Sequence, residues 1–260
     1  MMHHIRSVST LKEIKDFLSS IEENSIIFLD VDDTLITPIS KVFRFRSPYR
    51  TLIDDIKRDR ERIPHFETLL SRWRLQRQTQ LVSEEWVGFI KELKEKFPLY
   101  ALTQMETGPL GDIPLMEKWR HKELTEKGLE FTLTYCGQNK EVILSSPSKP
   151  YDATFYKGIF STGSYSKGEI IRQYCLRKNP GKVVLIDDRA EHLNDVYNAC
   201  CDCSVPFSGI FFKGERLIAG VPDTTVAEFQ KDHLLSQYEW LEDEEAERKI
   251  REGSGFFSLK

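Results

Sequence analysis

No apolar run in this sequence approaches the roughly 20 residues a helix needs to cross a bilayer. Mean hydropathy is -0.43, and no membrane span is expected. The first twenty residues, MMHHIRSVSTLKEIKDFLSS, have no long apolar stretch followed by a small-residue cleavage site, so a secretory leader is not expected and a cytoplasmic location is. The histidine pair His3-His4 is too short to be a purification tag. Internal repeats and low-complexity tracts are missing as well. The five cysteines are odd in number, and Cys200, Cys201 and Cys203 crowd together, which is the usage of reduced thiols rather than of a disulfide framework. A zinc site there would want further Cys or His at ligand spacing, and His192 alone is near; a helix end is the simpler reading. Nor is there a large excess of one charge. The net charge is -4 in 260 residues, which gives no ground for expecting a nucleic-acid partner.

The charges that are present are unevenly spread. Lys41 to Arg77 holds eleven Lys/Arg against five Asp/Glu, and Ala227 to Glu252 holds nine acids against four bases. Each stretch reads first as a solvated surface.

Apolar periodicity divides the chain into alternating helices and strands. Leu11, Ile14, Phe17, Leu18 and Ile21 recur at helical spacing over about 9–23, with Ser9 or Thr10 as cap. Ser25 to Leu29 is a short apolar strand that stops at Asp30-Val31-Asp32-Asp33-Thr34. A long, mostly helical stretch follows, about 38–97, punctuated by Pro48 and Pro64. Pro98 to Leu102 is a second strand, ending at Thr103. A helix near 115–127 is closed by Gly128. Leu129 to Tyr135, Val142 to Leu144 and Phe155 to Phe160 are strand candidates. Ser166-Lys167-Gly168-Glu169 has the form of a capping box and should open a helix. Lys182 to Ile186 is a strand ending in Asp187-Asp188, a helix is expected over 190–199, a last strand over 207–212, and a helical tail from Thr224. This alternation implies an α/β protein with a parallel sheet flanked by helices.

Three strand ends therefore deliver polar groups: Asp30, Asp32 and Thr34; Thr103; Asp187 and Asp188. In a parallel sheet such ends converge on one crevice, and Lys167 at a helix start can point into it. Clustered carboxylates repel one another unless a hard cation lies among them, and Mg²⁺ takes one or two carboxylates together with phosphate oxygens and water. A hydroxyl and an ammonium supply donors to phosphate oxygens. The constellation is that of a metal-held phosphate. Taken singly each part has a plainer reading. Asp-Asp-Thr after a strand is a common turn, a strand-end threonine is usually structural, Lys167 could be solvated, and Asp187 or Asp188 could cap the next helix. Lys157 rivals Lys167 but lies in a strand-like run. His192 is expected to be exposed. Trp73, Trp86 and Trp119 read as packing residues.

Asp30-Val31-Asp32-Asp33-Thr34, Thr103, Lys167 and Ile186-Asp187-Asp188 resemble, in order, the four motifs of the haloacid dehalogenase (HAD) superfamily, across about residues 25–190. The doubled Asp32-Asp33 before Thr34-Leu35 also resembles its acid phosphatases, and the chain is similar to a poorly characterised HAD subfamily from intracellular bacteria. The resemblance implies a Rossmann-like core over 1–37 and 98–226, a small helical cap inserted at 38–97, and an acidic tail at 227–260. It implies a Mg²⁺-dependent phosphomonoesterase with Asp30 as nucleophile and Asp32 as general acid and base. Thr103 and Lys167 would bind the phosphoryl group, and Thr34 would orient the loop. Asp30, the Asp32 carbonyl and a motif-four acid would hold the metal; Asp188 is favoured, with Asp187 close behind. An acid at position 32 points to hydrolysis, since ion pumps carry threonine there. The substrate would be a phosphorylated small molecule or a phosphoprotein, with the basic insert favouring polyanions. Two other readings stay open: a HAD-fold binding protein with little turnover, and a phosphoryl-transferring mutase.

Overall fold

In a computed structural model, which describes residues 5–255, the chain runs β1 (Ile5–Val8), α1 (Leu11–Leu18), β2 (Ser25–Leu29), β3 (Ile36–Pro38), α2 (Leu52–Arg58), α3 (Phe66–Gln76), β4 (Thr79–Leu81), α4 (Glu85–Lys96), β5 (Leu99–Thr103), α5 (Met116–Glu126), β6 (Lys140–Leu144), β7 (Ala153–Tyr156), β8 (Ile159–Ser161), α6 (Lys167–Lys178), β9 (Lys182–Asp187), α7 (Ala190–Asp202), β10 (Phe207–Phe212), α8 (Thr224–Gln237) and α9 (Asp243–Gly255). His3 and His4 lie outside the described residues. The fold is mixed α/β, with an eight-stranded, mostly parallel sheet in the order β1-β10-β9-β2-β5-β8-β7-β6. Pairing is parallel from β1 through β8, and antiparallel for β8–β7 and β7–β6.

β2 is buried at all five positions, as is β5, because each lies between two other strands and has both faces covered. Alternate side chains divide between two apolar clusters. Ile27 and Leu29 join α1 and α4 on one face, while Ile26 and Phe28 join α6 and α7 on the other. Thr10 and Glu13 cap α1 reciprocally, and Ser166 and Glu169 cap α6 in the same way. That second box fixes where α6 begins, and so where Lys167 stands.

The chain divides into two compact units: Met1–Thr37 with Leu81–Gly108 and Leu115–Leu217, and Pro38–Gln80 with Pro109–Pro114 and Ile218–Lys260. α4 belongs to the first, since Trp86, Phe89, Ile90 and Leu93 lie in its apolar cluster; the inserted segment in the second unit thus ends well before residue 97. Within the second unit the buried Gln230 amide donates to Ser40 Oγ, the Leu241 carbonyl and Asp243 Oδ1 at 3.0, 2.9 and 3.1 Å. Phe43 packs on Trp73 and Trp240. The acidic tail is therefore built into the same unit as the insert, as two helices rather than one.

Two readings from periodicity are corrected, and three short strands are added. Leu129–Tyr135 forms no strand, although Leu129 and Phe131 are buried; its backbone meets β5 through a single bond from Thr132 N to the Leu99 carbonyl, and the Thr132 hydroxyl occupies the next donor. Phe155–Phe160 is split by Lys157 and Gly158, both at positive φ (44° and 94°), which form a two-residue hairpin loop between β7 and β8. β1, β3 and β4 carry too short a pattern to have been expected. No described helix is long and apolar enough to cross a membrane.

Candidate functional site

β9, β2 and β5 are neighbours and parallel, so their carboxyl ends lie side by side. Asp30 follows β2 directly, and its N–H continues the ladder to the Ile186 carbonyl at 2.9 Å. Asp187 ends β9, Asp188 follows it, and Thr103 ends β5. One carboxylate oxygen each from Asp30, Asp187 and Asp188 lies within 4.8 Å of the others. Lys167, the first residue of α6, is buried among them. Its ammonium donates to Asp30 Oδ1 at 2.5 Å and to Asp187 Oδ2 at 2.6 Å. Gly168 lets α6 approach α7, since a Cβ there would meet Asp195 Oδ1 at 2.4 Å; the Asp195 carboxylate instead accepts the Gly168 N–H at 2.6 Å. The Thr34 hydroxyl donates to Asp30 Oδ2 at 3.2 Å. Asp33 turns the loop at φ 62° and accepts from the Thr37 hydroxyl.

The charges do not cancel evenly. Burial and the neighbouring Asp187 push Asp30 up to about 6 despite the Lys167 ammonium beside it. Burial also opposes ionisation of Asp187, but Lys167 and His192 outweigh it and its carboxyl is held below the usual range. Asp188 is pushed up to about 9 by burial and by Asp30, Asp33 and Asp187. Lys167 stays charged, because Asp187 and Asp30 more than offset its burial. The Thr103 hydroxyl is buried with no hydrogen-bond partner among the described residues.

Three contributors were invisible to motif reading. His192 is not exposed as expected. Only 17 % of its side chain is accessible; Nδ1 lies 3.1 Å from Asp187 Oδ1 and Nε2 lies 2.9 Å from the Gln104 side-chain oxygen. Its position one turn into α7, five residues after Asp187, is the signal that could have found it. Gln104, directly after Thr103, is the second. Arg120 on α5, buried at 2 %, donates to Asp32 Oδ2 at 2.8 Å and to Glu123 at 2.7 Å. Eighty-eight positions separate Arg120 from Asp32, so no local pattern marks it. Burial disfavours its charge, but Asp32 and Glu123 hold it protonated. Lys157, the rival lysine, belongs to the β7–β8 turn and not to this cluster. Arg44, in the basic insert, is buried and donates to the Pro38 and Ile39 carbonyls, so it is part of the second unit's framework. All five cysteines are free thiols.

Residues 7–247 match a family described as "Protein of unknown function (DUF2608)". An uncharacterized protein of Rickettsia prowazekii (strain Madrid E) is 26% identical over 240 residues, covering 91% of this chain and 87% of that protein. No solved structure matches the chain.

Proposed function

We propose that this chain, which belongs to the DUF2608 family, is a HAD-type phosphohydrolase working through an aspartyl-phosphate on Asp30. One observation carries the reading: a buried ammonium, Lys167, bridges Asp30 and Asp187 where two adjacent parallel strands end, with Asp188 completing a three-carboxylate cluster. A structural ion pair needs two partners. Two buried acids and a half-buried third around one lysine carry an excess of negative charge, which a bound cation would balance in place of the proton that Asp188 otherwise takes up. Hard oxygen donors in this number suit Mg²⁺. Asp30, Asp188 and the Asp32 carbonyl would hold the ion, with Asp187 behind them. When bound, it supplies positive charge that keeps the acids ionised and polarises a phosphoryl oxygen.

The Asp30 carboxylate attacks phosphorus, forming an Oδ–P bond as the bond to the leaving oxygen breaks. Asp32, whose side chain is 46% exposed, gives its proton to that oxygen, then takes one from the water that opens the aspartyl-phosphate. Lys167 and the Thr103 hydroxyl donate to phosphoryl oxygens that carry the developing charge. Thr34 keeps the nucleophile in line. On the same reading the insert bearing α2 and α3 is the family's cap, and its basic residues favour polyanionic phosphates or phosphoproteins.

The test is hydrolysis of an aryl phosphate by wild type and Asp30→Asn, with Mg²⁺ and after chelation. Turnover that needs both Asp30 and Mg²⁺ supports the proposal. Activity in Asp30→Asn would refute the nucleophile. Absence of turnover on aryl phosphate and on a panel of phosphorylated metabolites would favour the binding-protein reading, and phosphoryl transfer to a second substrate would indicate a mutase.

A further inference from the structure

A cavity of about 300 Å³ lies away from the carboxylate cluster, beside the amino end of β8 and the last turns of α5. Because β8 runs parallel to β2 and β5, this is the opposite edge of the sheet from Asp30. Its wall is apolar, made in part by Phe131, Leu133 and Ile159, and Lys94, His121 and Lys157 also line it. Leu133 is 57% exposed, a large apolar side chain left open at a concave surface.

Lys157 makes this cavity more than a gap. It occupies the first position of the two-residue β7–β8 loop at φ 44°. Such a loop favours Asn, Asp or Gly there, because a longer side chain is strained in the left-handed region. Strain of this kind persists where the side chain is needed. The Lys157 ammonium pairs with no carboxylate among the described residues; it lies 5.6 Å from the centre of the Tyr156 ring. The one acid in the lining, Glu130, is engaged by Lys94 at 3.5 Å. Burial and the Lys157 charge hold His121 below its ordinary value, which leaves it a neutral hydrogen-bonding group at neutral pH.

We propose that this cavity is a second binding site, for an organic carboxylate with a compact apolar body. The body would cover Phe131, Leu133 and Ile159, and the carboxylate would sit against Lys157 and His121. A cation beside an apolar wall selects this chemistry: a neutral hydrocarbon would leave Lys157 unmatched, and an inorganic anion would leave Leu133 in water.

Octanoate is the probe and octanol its neutral control, each titrated calorimetrically into the full chain. No turnover is measured, so the result is independent of the phosphohydrolase reading. Octanoate should bind with a dissociation constant of about 1 mM, the scale for a ligand of roughly ten heavy atoms. Lys157→Asn relaxes the turn, so it should fold at least as stably as wild type, yet weaken octanoate about tenfold while leaving octanol unchanged. Leu133→Glu, at an exposed position, should weaken octanoate by a similar factor. Failure of octanoate to bind wild type, or unchanged octanoate affinity in Lys157→Asn, would overturn the proposal. Equal weakening of octanol and octanoate by Lys157→Asn would overturn it too, because the lysine would then not be reading charge.

Discussion

Replacing Lys167 by Met exposes the logic of the carboxylate cluster most directly. The Lys167 side chain is 0% exposed, as is that of Asp187, and Asp30 is 7% exposed. The substitution leaves two buried acids without their shared cation. Breaking a buried ion pair by removing one partner costs about 3–5 kcal/mol. Here the lower end is expected near neutral pH, because Asp30 already sits at about 6 with the ammonium in place. Without it, Asp30 takes up a proton rather than remain a bare buried charge. About 3 kcal/mol corresponds to a fall in Tm of roughly 6–12 °C for a domain of this size.

The pH dependence follows from the direction of the shifts. Loss of Lys167 raises Asp30 further above the ordinary 3.8, and raises Asp187 from the depressed value that the ammonium helps to maintain. A group raised in the folded state contributes stability that is complete below its unfolded value and lost as pH rises through its folded value. The deficit of Lys167→Met relative to wild type should therefore widen from about pH 6 to about pH 9. Adding Asp30→Asn removes one of the two stranded acids, so the double variant should recover part of the deficit, with a coupling of about 1 kcal/mol or more. Thermal unfolding of the four proteins at several pH values, without added metal, measures this. A Tm for Lys167→Met equal to that of wild type at high pH, or a deficit that shrinks as pH rises, would refute the reasoning.

Asp30→Asn should fold and lose turnover by several orders of magnitude in an aryl phosphate assay. On the proposed reading Mg²⁺ should raise the Tm of wild type; Asp188→Ala should abolish that rise, whereas Asp187→Ala should mainly lower the metal-free Tm, and thermal scans with and without Mg²⁺ separate the two. With Asp188 at about 9, protons compete with the cation, so the Mg²⁺-induced Tm rise in wild type should grow from about pH 6 to about pH 9. Arg120→Ala should lower kcat, with partial recovery in Arg120→Lys, since Asp32 loses the partner that holds it. Trp86→Phe should destabilise by about 1–3 kcal/mol in denaturant unfolding, because Trp86 is fully buried and its indole N–H donates to the Thr34 carbonyl at 3.0 Å.

The sheet was legible where strand identity rests on local chemistry. Ser25–Leu29 and Phe207–Phe212 are apolar, short and sharply bounded, and both stand at the expected residues. The α6 start was legible because a capping box is a four-residue signal. What failed was whatever depends on distant partners. Phe155–Phe160 reads as one strand because its apolar residues do not reveal that Lys157-Gly158 adopts positive φ. The insert was read as far as Phe97 because the apolar face of α4 looks the same whichever cluster it enters. In the cluster itself, Asp30, Lys167 and Asp187 were recoverable from their strand and helix contexts. Arg120 was not, because nothing near it in sequence distinguishes a buried arginine facing Asp32 from a solvated one on a charged helix.

Adjacent acids at one strand end cannot have the same environment, and the two here divide accordingly. Asp187 is the last residue of β9 and is met from three sides: Lys167 at 2.6 Å, the Arg189 N–H at 2.8 Å and His192 Nδ1 at 3.1 Å. These donors favour its ionised form and fix both oxygens, so it acts as a counter-charge that holds Lys167 in place. Burial, and after it the charges of Asp30, Asp33 and Asp187, push Asp188 up to about 9 against the opposing pull of Arg189. An environment that disfavours a lone carboxylate there favours one joined to a dication, because the same neighbours that repel its charge attract the ion's. On the proposed phosphohydrolase reading, this asymmetry favours Asp188 over Asp187 as the direct ligand of a cation and leaves Asp187 to position the ammonium.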